Sequence, residues 1–332
     1  MMNIVVRKMK TIILSDTHYG IKQNSITWMN SQVDFLYKEF IPFVKHLKKE
    51  SFVQVIHCGD VFDSRSSINP LIASNIRKAF KEIANECPFY IVAGNHDFYS
   101  PNEDDISSLD LTLDNIPNLY IVRNKIECVG DSLLVPWYEF DKKEELEKAI
   151  QEYKPKHIFC HTDLTRLLPE YKELLRGIKC YSGHIHTPQK DGNLITLGST
   201  YPLTFADCNS ERGFYILDNE TEELLFVKAK NVIKFWRFYN KEIFDIDVTK
   251  VKNDYIELYI NKLNLMNEEY TERISFLTSK IHNIVVVPNS EIEHKGEDVE
   301  FTNYNIEEIC KANIPDELKE KFKEISEKDL QK

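Results

Sequence analysis

The segment TIILSDTHYG, residues 11–20, is the most informative about the fold, because it joins an apolar run to a short polar loop. Residues 11–14 predict a buried strand, and Asp16 and His18 follow its carboxyl end. The arrangement recurs at residues 53–63, where VQVIHC is followed by GDVFD. Ligands in α/β folds gather at the carboxyl ends of strands, so these polar side chains are expected to converge.

Further apolar runs of strand length occupy the first two-thirds of the chain. They fall at residues 89–93, 119–122, 133–135, 157–160, 194–197 and 214–217. Helical periodicity lies between some of them, at residues 31–49, 70–85 and 142–153. This alternation predicts an α/β fold in which two sheets are flanked by helices, giving four layers in the order α/β/β/α.

The pattern changes after residue 218. Residues 255–260 and 284–287 predict strands and residues 268–282 a helix, whereas 288–301 are polar like a linker. Two short amphipathic helices are expected near 306–313 and 316–328. We therefore expect a main domain at residues 1–230, a small α+β domain at 231–287, a linker at 288–304 and C-terminal helices at 305–332.

Composition limits the class of protein. No apolar run approaches the roughly 20 residues that span a bilayer, so no membrane association is expected. Seven cysteines without paired spacing indicate a reducing compartment and a cytoplasmic protein. The net charge of −11 argues against a nucleic-acid substrate, but residues 288–332 alone carry 13 acidic and 7 basic residues. Acidity therefore lowers the expectation of DNA binding without excluding it.

Five motifs with metal-ligand chemistry occur in order. They are DTH at 16–18, GDVFD at 59–63, GNHD at 94–97, a single His161 that closes a strand, and GHIH at 183–186. Each alone has a structural alternative: a capped loop, a turn, a core histidine, or two imidazoles on one strand face. The order and strand-end placement of all five together favour a metal site.

The residue types indicate which metals such a site would hold. Phosphoester hydrolysis needs a nucleophilic hydroxide at neutral pH and charge stabilisation on the phosphoryl oxygens. Two metals roughly 3.5–4 Å apart supply both when one carboxylate bridges them. Carboxylate, imidazole and amide ligands without thiolates favour Mn(II), with Mg, Fe or Zn as alternatives, over a structural zinc site.

The motif series resembles the calcineurin-like metallophosphoesterases, and among them the SbcD/Mre-type DNA-repair nuclease subunits and their T-even phage counterparts. Four further segments carry this resemblance: LSDTHYG at 14–20, VPW at 135–137, LGSTYP at 197–202 and ERGF at 211–214. The similarity of motifs covers residues 10 to about 218. Beyond that point the match is one of architecture, in which residues 231–287 correspond to a capping domain that binds DNA.

The resemblance implies a role for each motif residue. One metal is held by Asp16, His18 and His186, and the second by Asn95, His161 and His184, with Asp60 bridging the two. His96 corresponds to the catalytic histidine that protonates the leaving 3′ oxygen or stabilises the transition state. Asp97 is expected to contact the metal ligands without binding a metal itself.

Asp63 is a departure from part of the family. Archaeal and many bacterial nuclease subunits have histidine at this position, whereas the phage type has aspartate. A carboxylate here is expected to hydrogen-bond His96, which would fix the tautomer of its imidazole. The alternative is that Asp63 only caps the following loop.

The resemblance also implies a function and partners. The expected activity is that of a DNA nuclease, with 3′→5′ exonuclease and single-strand endonuclease character, in a double-strand-break repair and recombination complex. A homodimer is expected, in a bacterial cytoplasm or a phage-infected cell. An SMC-like, ABC-type ATPase subunit is expected to bind the C-terminal helices through a face formed by Leu318, Phe322 and Ile325.

Four basic residues are candidates for contacts with DNA: Arg65, Arg212, Lys234 and Arg237. Arg65 has the alternative of a solvated loop arginine, and Lys234 and Arg237 that of the packed start of the second domain. Two other functions compete with the nuclease. One is a phosphatase or cyclic-nucleotide phosphodiesterase, although Asp97 stands where phosphoprotein phosphatases usually have Glu. The other is a non-catalytic scaffold, which would be expected to lack ligands.

Overall fold

The computed structural model describes residues 8–100, 103–164 and 169–289 of the chain. Its strands, in chain order, are β1 (Met9–Leu14), β2 (Phe52–Cys58), β3 (Phe89–Val92), β4 (Phe98–Ser100), β5 (Glu103–Ser107), β6 (Leu119–Val122), β7 (Glu127–Val129), β8 (Ser132–Val135), β9 (His157–His161), β10 (Lys179–Gly183), β11 (Gln189–Asp191), β12 (Leu194–Thr196), β13 (Gly213–Asp218), β14 (Leu224–Lys228), β15 (Phe235–Tyr239), β16 (Tyr255–Asn261) and β17 (Asn283–Asn289).

The helices lie mostly between strands. They are α1 (Ile21–Asn24), α2 (Ile26–Phe35), α3 (Ile41–Glu50), α4 (Pro70–Glu86), α5 (Ser108–Leu113), α6 (Trp137–Phe140), α7 (Lys143–Tyr153), α8 (Pro169–Leu174), α9 (Val248–Val251) and α10 (Glu268–Lys280). A π-helical turn, Leu36–Phe40, joins α2 to α3. Local chemistry explains the start of α4, where the Asn69 side chain accepts from the Leu71 amide and Pro70 takes the first turn.

Two six-stranded sheets form the main body. The first has the order β14-β13-β1-β2-β3-β6, and the second β11-β12-β10-β9-β8-β7. Strands β1, β2, β3 and β6 are parallel in the first sheet, as are β8, β9, β10 and β12 in the second. Each sheet therefore presents several carboxyl strand ends at one edge.

Buried side chains form separate clusters that follow this arrangement. One contains residues of both sheets, such as Ile13 and Val92 with Phe159 and Tyr181, so it lies between them. A second joins strand residues to α2–α5, and a third joins β8–β10 to α7 and α8. The mixed α/β class predicted from the sequence is confirmed.

A small parallel sheet, β15-β16-β17, follows the main body. One face packs on α10, where Ile256, Leu258 and Ile260 contact a cluster that includes Leu277. From the other face, Phe235 and Tyr255 pack against the indole of Trp28 on α2. The two strands and one helix predicted in this region are present, but β17 extends to Asn289, two residues into the predicted linker.

The predicted strands and helices before residue 288 all appear, but several short strands were missed. The most important of these is β10, whose sequence KCYSG lacks an apolar run and alternates too briefly to be recognised. The predicted linker beyond residue 289 and the C-terminal helices lie outside the described residues. Across the described ranges, no helix is both long enough and apolar enough to cross a membrane.

Candidate metal centre

The five motifs follow five strands that are neighbours within the two sheets. The first three lie directly after β1, β2 and β3 of the first sheet. His161 is the last residue of β9, and GHIH begins at the last residue of β10, its neighbour. His184 and His186 therefore lie in a loop, and the alternative that they share one face of a strand is wrong. The carboxyl ends of both sheets meet at one site.

The first set of side chains comprises Asp16, His18 and His186, which the structure brings together as a potential cation site. The Nε2 atoms of His18 and His186 are 3.1 Å apart. Each lies within 3.9 Å of Asp16 Oδ1. Two imidazole nitrogens facing each other beside a buried carboxylate form a donor set that suits a divalent cation.

The second set comprises Asp60, His161 and His184, with Asn95 at its centre. Asn95 Oδ1 lies 3.1 Å from His161 Nε2 and 2.9 Å from His184 Nδ1. His161 Nδ1 donates to the Cys58 carbonyl at 2.7 Å, so Nε2 is the ring nitrogen that faces the set. Neither set contains a thiolate.

Asp60 lies between the two sets. Its Oδ2 is 3.7 Å from His18 Nε2, and its Oδ1 is 3.3 Å from His161 Nε2. One carboxylate thus directs one oxygen toward each group. This is the geometry required of a bridging ligand between two nearby cations.

The backbone at several of these residues is strained. Asp16, His18, Asp60 and His184 have φ values of 50°, 43°, 55° and 81°, in the region that residues with a Cβ rarely adopt. Such conformations cost about 1–3 kcal/mol each and persist where the surrounding structure enforces them. Backbone hydrogen bonds between the loops, from the Asp16 amide to the Gly59 carbonyl and from the His18 amide to the Asp60 carbonyl, hold part of this segment in place.

Two glycines of the motifs are required because neighbouring atoms lie too close to them for a side chain to fit. A Cβ on Gly94 would lie 2.3 Å from Asp60 Oδ1, and one on Gly183 would lie 2.0 Å from Ser15 Oγ. Both positions are places where one loop packs directly against the next. Glycine precedes the ligands in GNHD and GHIH because no side chain fits there.

Asp97 stabilises the loops that carry the predicted ligands. Its buried carboxylate accepts the amide hydrogens of Gly94, Asp60 and Val61 at 2.9–3.0 Å. It therefore ties the loop after β2 to the loop after β3. Burial and the nearby charge of Asp60 raise the pKa of Asp97 to about 7, although the amide donors favour its charged form.

The electrostatics of the two sets differ. Burial lowers the pKa of both His184 and His186. Burial also opposes a charge on His161, but Asp60 and Asp16 outweigh this effect and raise its pKa to about 10. A cation bound at His161 would therefore have to displace a proton, which makes its affinity dependent on pH.

His96 lies at the edge of the site, with its amide donating to Asp60 Oδ1 at 2.8 Å. Its ring Nδ1 donates to the backbone carbonyl of Asp63 at 2.7 Å. The predicted contact with the Asp63 carboxylate is wrong, because the carbonyl already occupies Nδ1. The carboxylate instead lies 3.5 Å from Nδ1 of His18.

The residues predicted to contact DNA lie in different environments. Arg212 is 1% exposed at its side chain and pairs with Asp207, whose carboxylate caps the amides of Leu203 and Thr204. Its prediction as a DNA contact is wrong, because this arginine neutralises a buried carboxylate. Arg65 lies half-buried in the loop between β2 and α4.

Two of these residues lie at the start of the small sheet. Arg237 donates to Glu257 at 2.8 Å and lies over the ring of Phe205. Lys234 Nζ lies 6.0 Å from the ring centroid of Trp236. The contacts of Arg237 thus fit the alternative that it belongs to the packed start of the second domain. The contact of the Lys234 side chain with Trp236 restricts that side chain less. The partner-binding candidates Leu318, Phe322 and Ile325 lie outside the described residues.

Trp137 was not predicted to belong to the site. Its ring centroid lies 4.7 Å from that of His184 and 5.9 Å from that of His161. Its position directly after β8, the neighbour of β9, was the available signal, since every other site residue also follows a strand. Trp137 forms an apolar wall against the second ligand set.

Comparisons with known proteins agree with this geometry. The family model described as calcineurin-like phosphoesterase matches residues 9–188, which include every motif of the site. Ligand sets of this composition at these strand ends define a metal-dependent phosphoesterase. The chain belongs to the calcineurin-like phosphoesterase family.

The chain is also similar to individual proteins. It is 22% identical over 325 residues to exonuclease subunit 1 of Enterobacteria phage T4, covering 93% of this chain and 94% of that protein. It is 25% identical over 287 residues to the DNA double-strand break repair protein Mre11 of Sulfolobus acidocaldarius, covering 79% and 72%. Its identity to the Mre11 protein of Saccharolobus solfataricus is 30% over 211 residues, covering 56% and 53%.

Among solved structures, an archaeal phosphodiesterase matches at 15% identity with a TM-score of 0.32, covering 66% of this chain and 99% of that one.

Proposed function

We propose that this protein is a two-metal DNA nuclease that hydrolyses phosphodiester bonds as the nuclease subunit of a double-strand-break repair or recombination complex. The first metal would be held by Asp16, His18 and His186. The second would be held by Asn95, His161 and His184, and Asp60 would bridge the two. The two donor sets on either side of Asp60 support this assignment.

The metals would supply Lewis acidity toward the phosphoryl oxygens and an activated water nucleophile. Mn(II) fits the mixture of carboxylate, imidazole and amide donors, with Mg, Fe and Zn as alternatives. The three backbone amides bound by Asp97 hold the loops of both sets in place, so the ligands need little reorganisation when cations bind.

His96 is the proposed acid. Its Nδ1 hydrogen is committed to the Asp63 carbonyl, so Nε2 is the atom that can carry a proton to the leaving oxygen. Its amide contact with Asp60 fixes its distance from the proposed bridging carboxylate. His96 can therefore act on a phosphoryl group that lies against both sets.

The observation that carries DNA as the substrate is the similarity to T4 exonuclease subunit 1, which extends over 93% of this chain and therefore reaches beyond the family domain. Small-molecule phosphoesterases would not require the small sheet and its junction. On this proposal residues 1–230 form the nuclease domain and 231–287 a capping domain. Arg65 and Lys234 are the remaining candidates for phosphate contacts.

The proposal extends to partners. An SMC-like ATPase would bind residues 305–332 through Leu318, Phe322 and Ile325, after the linker at 288–304, and the nuclease would act as a homodimer. Replacing those three apolar residues by Glu should prevent co-purification with the ATPase and leave the intrinsic nuclease activity unchanged. A loss of intrinsic activity in this variant would contradict a purely partner-binding role.

The central test is cleavage of linear double-stranded DNA with Mn²⁺ or Mg²⁺. His96→Asn should lower the rate by roughly 10²–10⁴-fold, the usual contribution of a positioned acid. His282→Asn, the same change at an exposed position, is the matched control and should cleave normally. Hydrolysis of p-nitrophenyl phosphate without cleavage of DNA would favour a phosphatase, and no metal-dependent activity would favour a scaffold.

A further inference from the structure

Asp63 contacts two histidines of the site with two different groups. Its backbone carbonyl accepts from His96 Nδ1 at 2.7 Å. Its carboxylate Oδ1 lies 3.5 Å from His18 Nδ1. The rings of His18 and His96 meet edge to face, with centroids 5.1 Å apart. The carboxylate and the carbonyl of Asp63 thus serve different neighbours.

The two nitrogens of His18 face different surroundings. Nε2 points into the first ligand set, 3.1 Å from His186 Nε2. Nδ1 is buried and has no hydrogen-bond partner within normal limits among the described residues. A histidine that binds a cation through Nε2 carries its proton on Nδ1, and a buried N–H group needs an acceptor. The Asp63 carboxylate is the acceptor beside it.

Backbone pairing keeps Asp63 in register with His18. The His18 amide donates to the Asp60 carbonyl at 3.1 Å, and the Tyr19 amide donates to Val61 at 2.8 Å. The Asp63 amide donates back to Tyr19 at 3.1 Å. A short ladder between the loops after β1 and β2 therefore fixes the approach of the carboxylate to the imidazole.

We propose that the Asp63 carboxylate is a positioning residue for His18: it accepts the Nδ1 proton and holds the ring with Nε2 directed into the first ligand set. This inference rests on the metal site proposed above. It separates two functions within one residue, since the carbonyl orients the proposed acid and the carboxylate orients a metal ligand. Substitution of the side chain removes only the second.

The test is Mn²⁺ binding by the full chain, measured by isothermal titration calorimetry. Asp63→Ala should weaken binding by about 10–100-fold, the usual effect of losing a partner that orients a ligand. Asp63→Asn keeps an acceptor oxygen and should lose less. Asp191→Asn, on the exposed strand β11 outside the motifs, removes the same charge and should bind like the wild type.

Two double variants decide which histidine the carboxylate serves. In a His96→Asn background, Asp63→Ala should weaken Mn²⁺ binding by the same factor as in the wild type, because His96 is not its target. In a His18→Asn background it should have no further effect. The inference would be overturned by the opposite pattern, in which Asp63→Ala weakens Mn²⁺ binding further in the His18→Asn background but not in the His96→Asn background.

Two further outcomes separate the proposed role of the Asp63 carboxylate from the proposed metal site. Wild-type Mn²⁺ affinity in Asp63→Ala, whatever its activity, refutes the role of the carboxylate and leaves the metal site intact. Failure of the wild-type chain to bind Mn²⁺ refutes the metal site itself. If Asp63→Ala unfolds, Asp63→Leu decides the question, since it keeps the side-chain volume but has no acceptor, and affinity equal to the wild type would count against the proposal.

Discussion

The indole N–H of Trp28 donates to the hydroxyl of Tyr255 at 3.0 Å, joining α2 of the main body to β16 of the small sheet. Trp28 is 1% exposed, and its ring also packs against Phe235. The aromatic contact and the hydrogen bond lie at the same place. The small sheet is therefore attached to the main body through a buried anchor.

Replacing Trp28 by Ala should lower the free energy of unfolding by about 3–5 kcal/mol, because a large buried ring is lost without a replacement. Tyr255→Phe is the milder control and should cost only about 0.5–1.5 kcal/mol for the hydrogen bond. Urea unfolding followed by tryptophan fluorescence and circular dichroism measures both. Equal stability of Trp28→Ala and the wild type would show that the anchor contributes nothing.

Asp97→Asn should destabilise the protein by about 1–3 kcal/mol, the cost of leaving buried groups unsatisfied. A carboxylate accepts at both oxygens, whereas an amide places an NH₂ group against one of the amide donors of Gly94, Asp60 and Val61. Chemical denaturation measures the loss. Asp191→Asn is a control, and an Asp97→Asn variant as stable as that control would contradict the role of Asp97.

Gly94→Ala should disturb the metal centre. The added Cβ would meet Asp60 Oδ1 at 2.3 Å, so either the loop or the carboxylate must move. We expect a cost of about 1–3 kcal/mol in the free energy of unfolding and a loss of Mn²⁺ binding. Gly192→Ala is the control: its Cβ meets nothing within 4 Å, and only its left-handed backbone is strained. Normal Mn²⁺ binding by Gly94→Ala would refute the steric explanation.

His57 should make the protein sensitive to acid. Burial lowers its pKa to about 3, and its Nε2 lies 3.0 Å from Thr17 Oγ1. The unfolded chain binds a proton near pH 6.5, whereas the folded protein does not until about pH 3. The stability associated with neutral His57 is therefore present above pH 6.5 and lost as the pH falls toward 3, by about 1.4 kcal/mol per pH unit.

Urea unfolding between pH 6.5 and 4.5 tests this sign. In His57→Gln, which cannot titrate, the decline in the free energy of unfolding should be shallower by that slope. His282→Gln changes an exposed histidine and should retain the wild-type slope. Parallel pH profiles for His57→Gln and the wild type would show that His57 is charged in the folded protein.

Local pattern predicted much of the architecture and the composition of the site. The apolar run before DTH, and the similar run before GDVFD, specify strands whose ends carry polar side chains, and these became β1 and β2. Strand β10 escaped prediction because its sequence, KCYSG, has little apolar character. Its burial comes from its neighbours β9 and β12, which a local pattern does not contain.

The amino-acid order alone specified which residue types lie at the strand ends, and with them the family and the donor chemistry. Only the folded structure decided where each side chain points. The Asp63 carboxylate faces His18 rather than His96, and Arg212 is buried against Asp207. The reason is physical: a loop side chain takes its direction from φ and ψ, and here contacts from distant loops set these angles. Asp97, holding the amides of Asp60 and Val61, is one such contact.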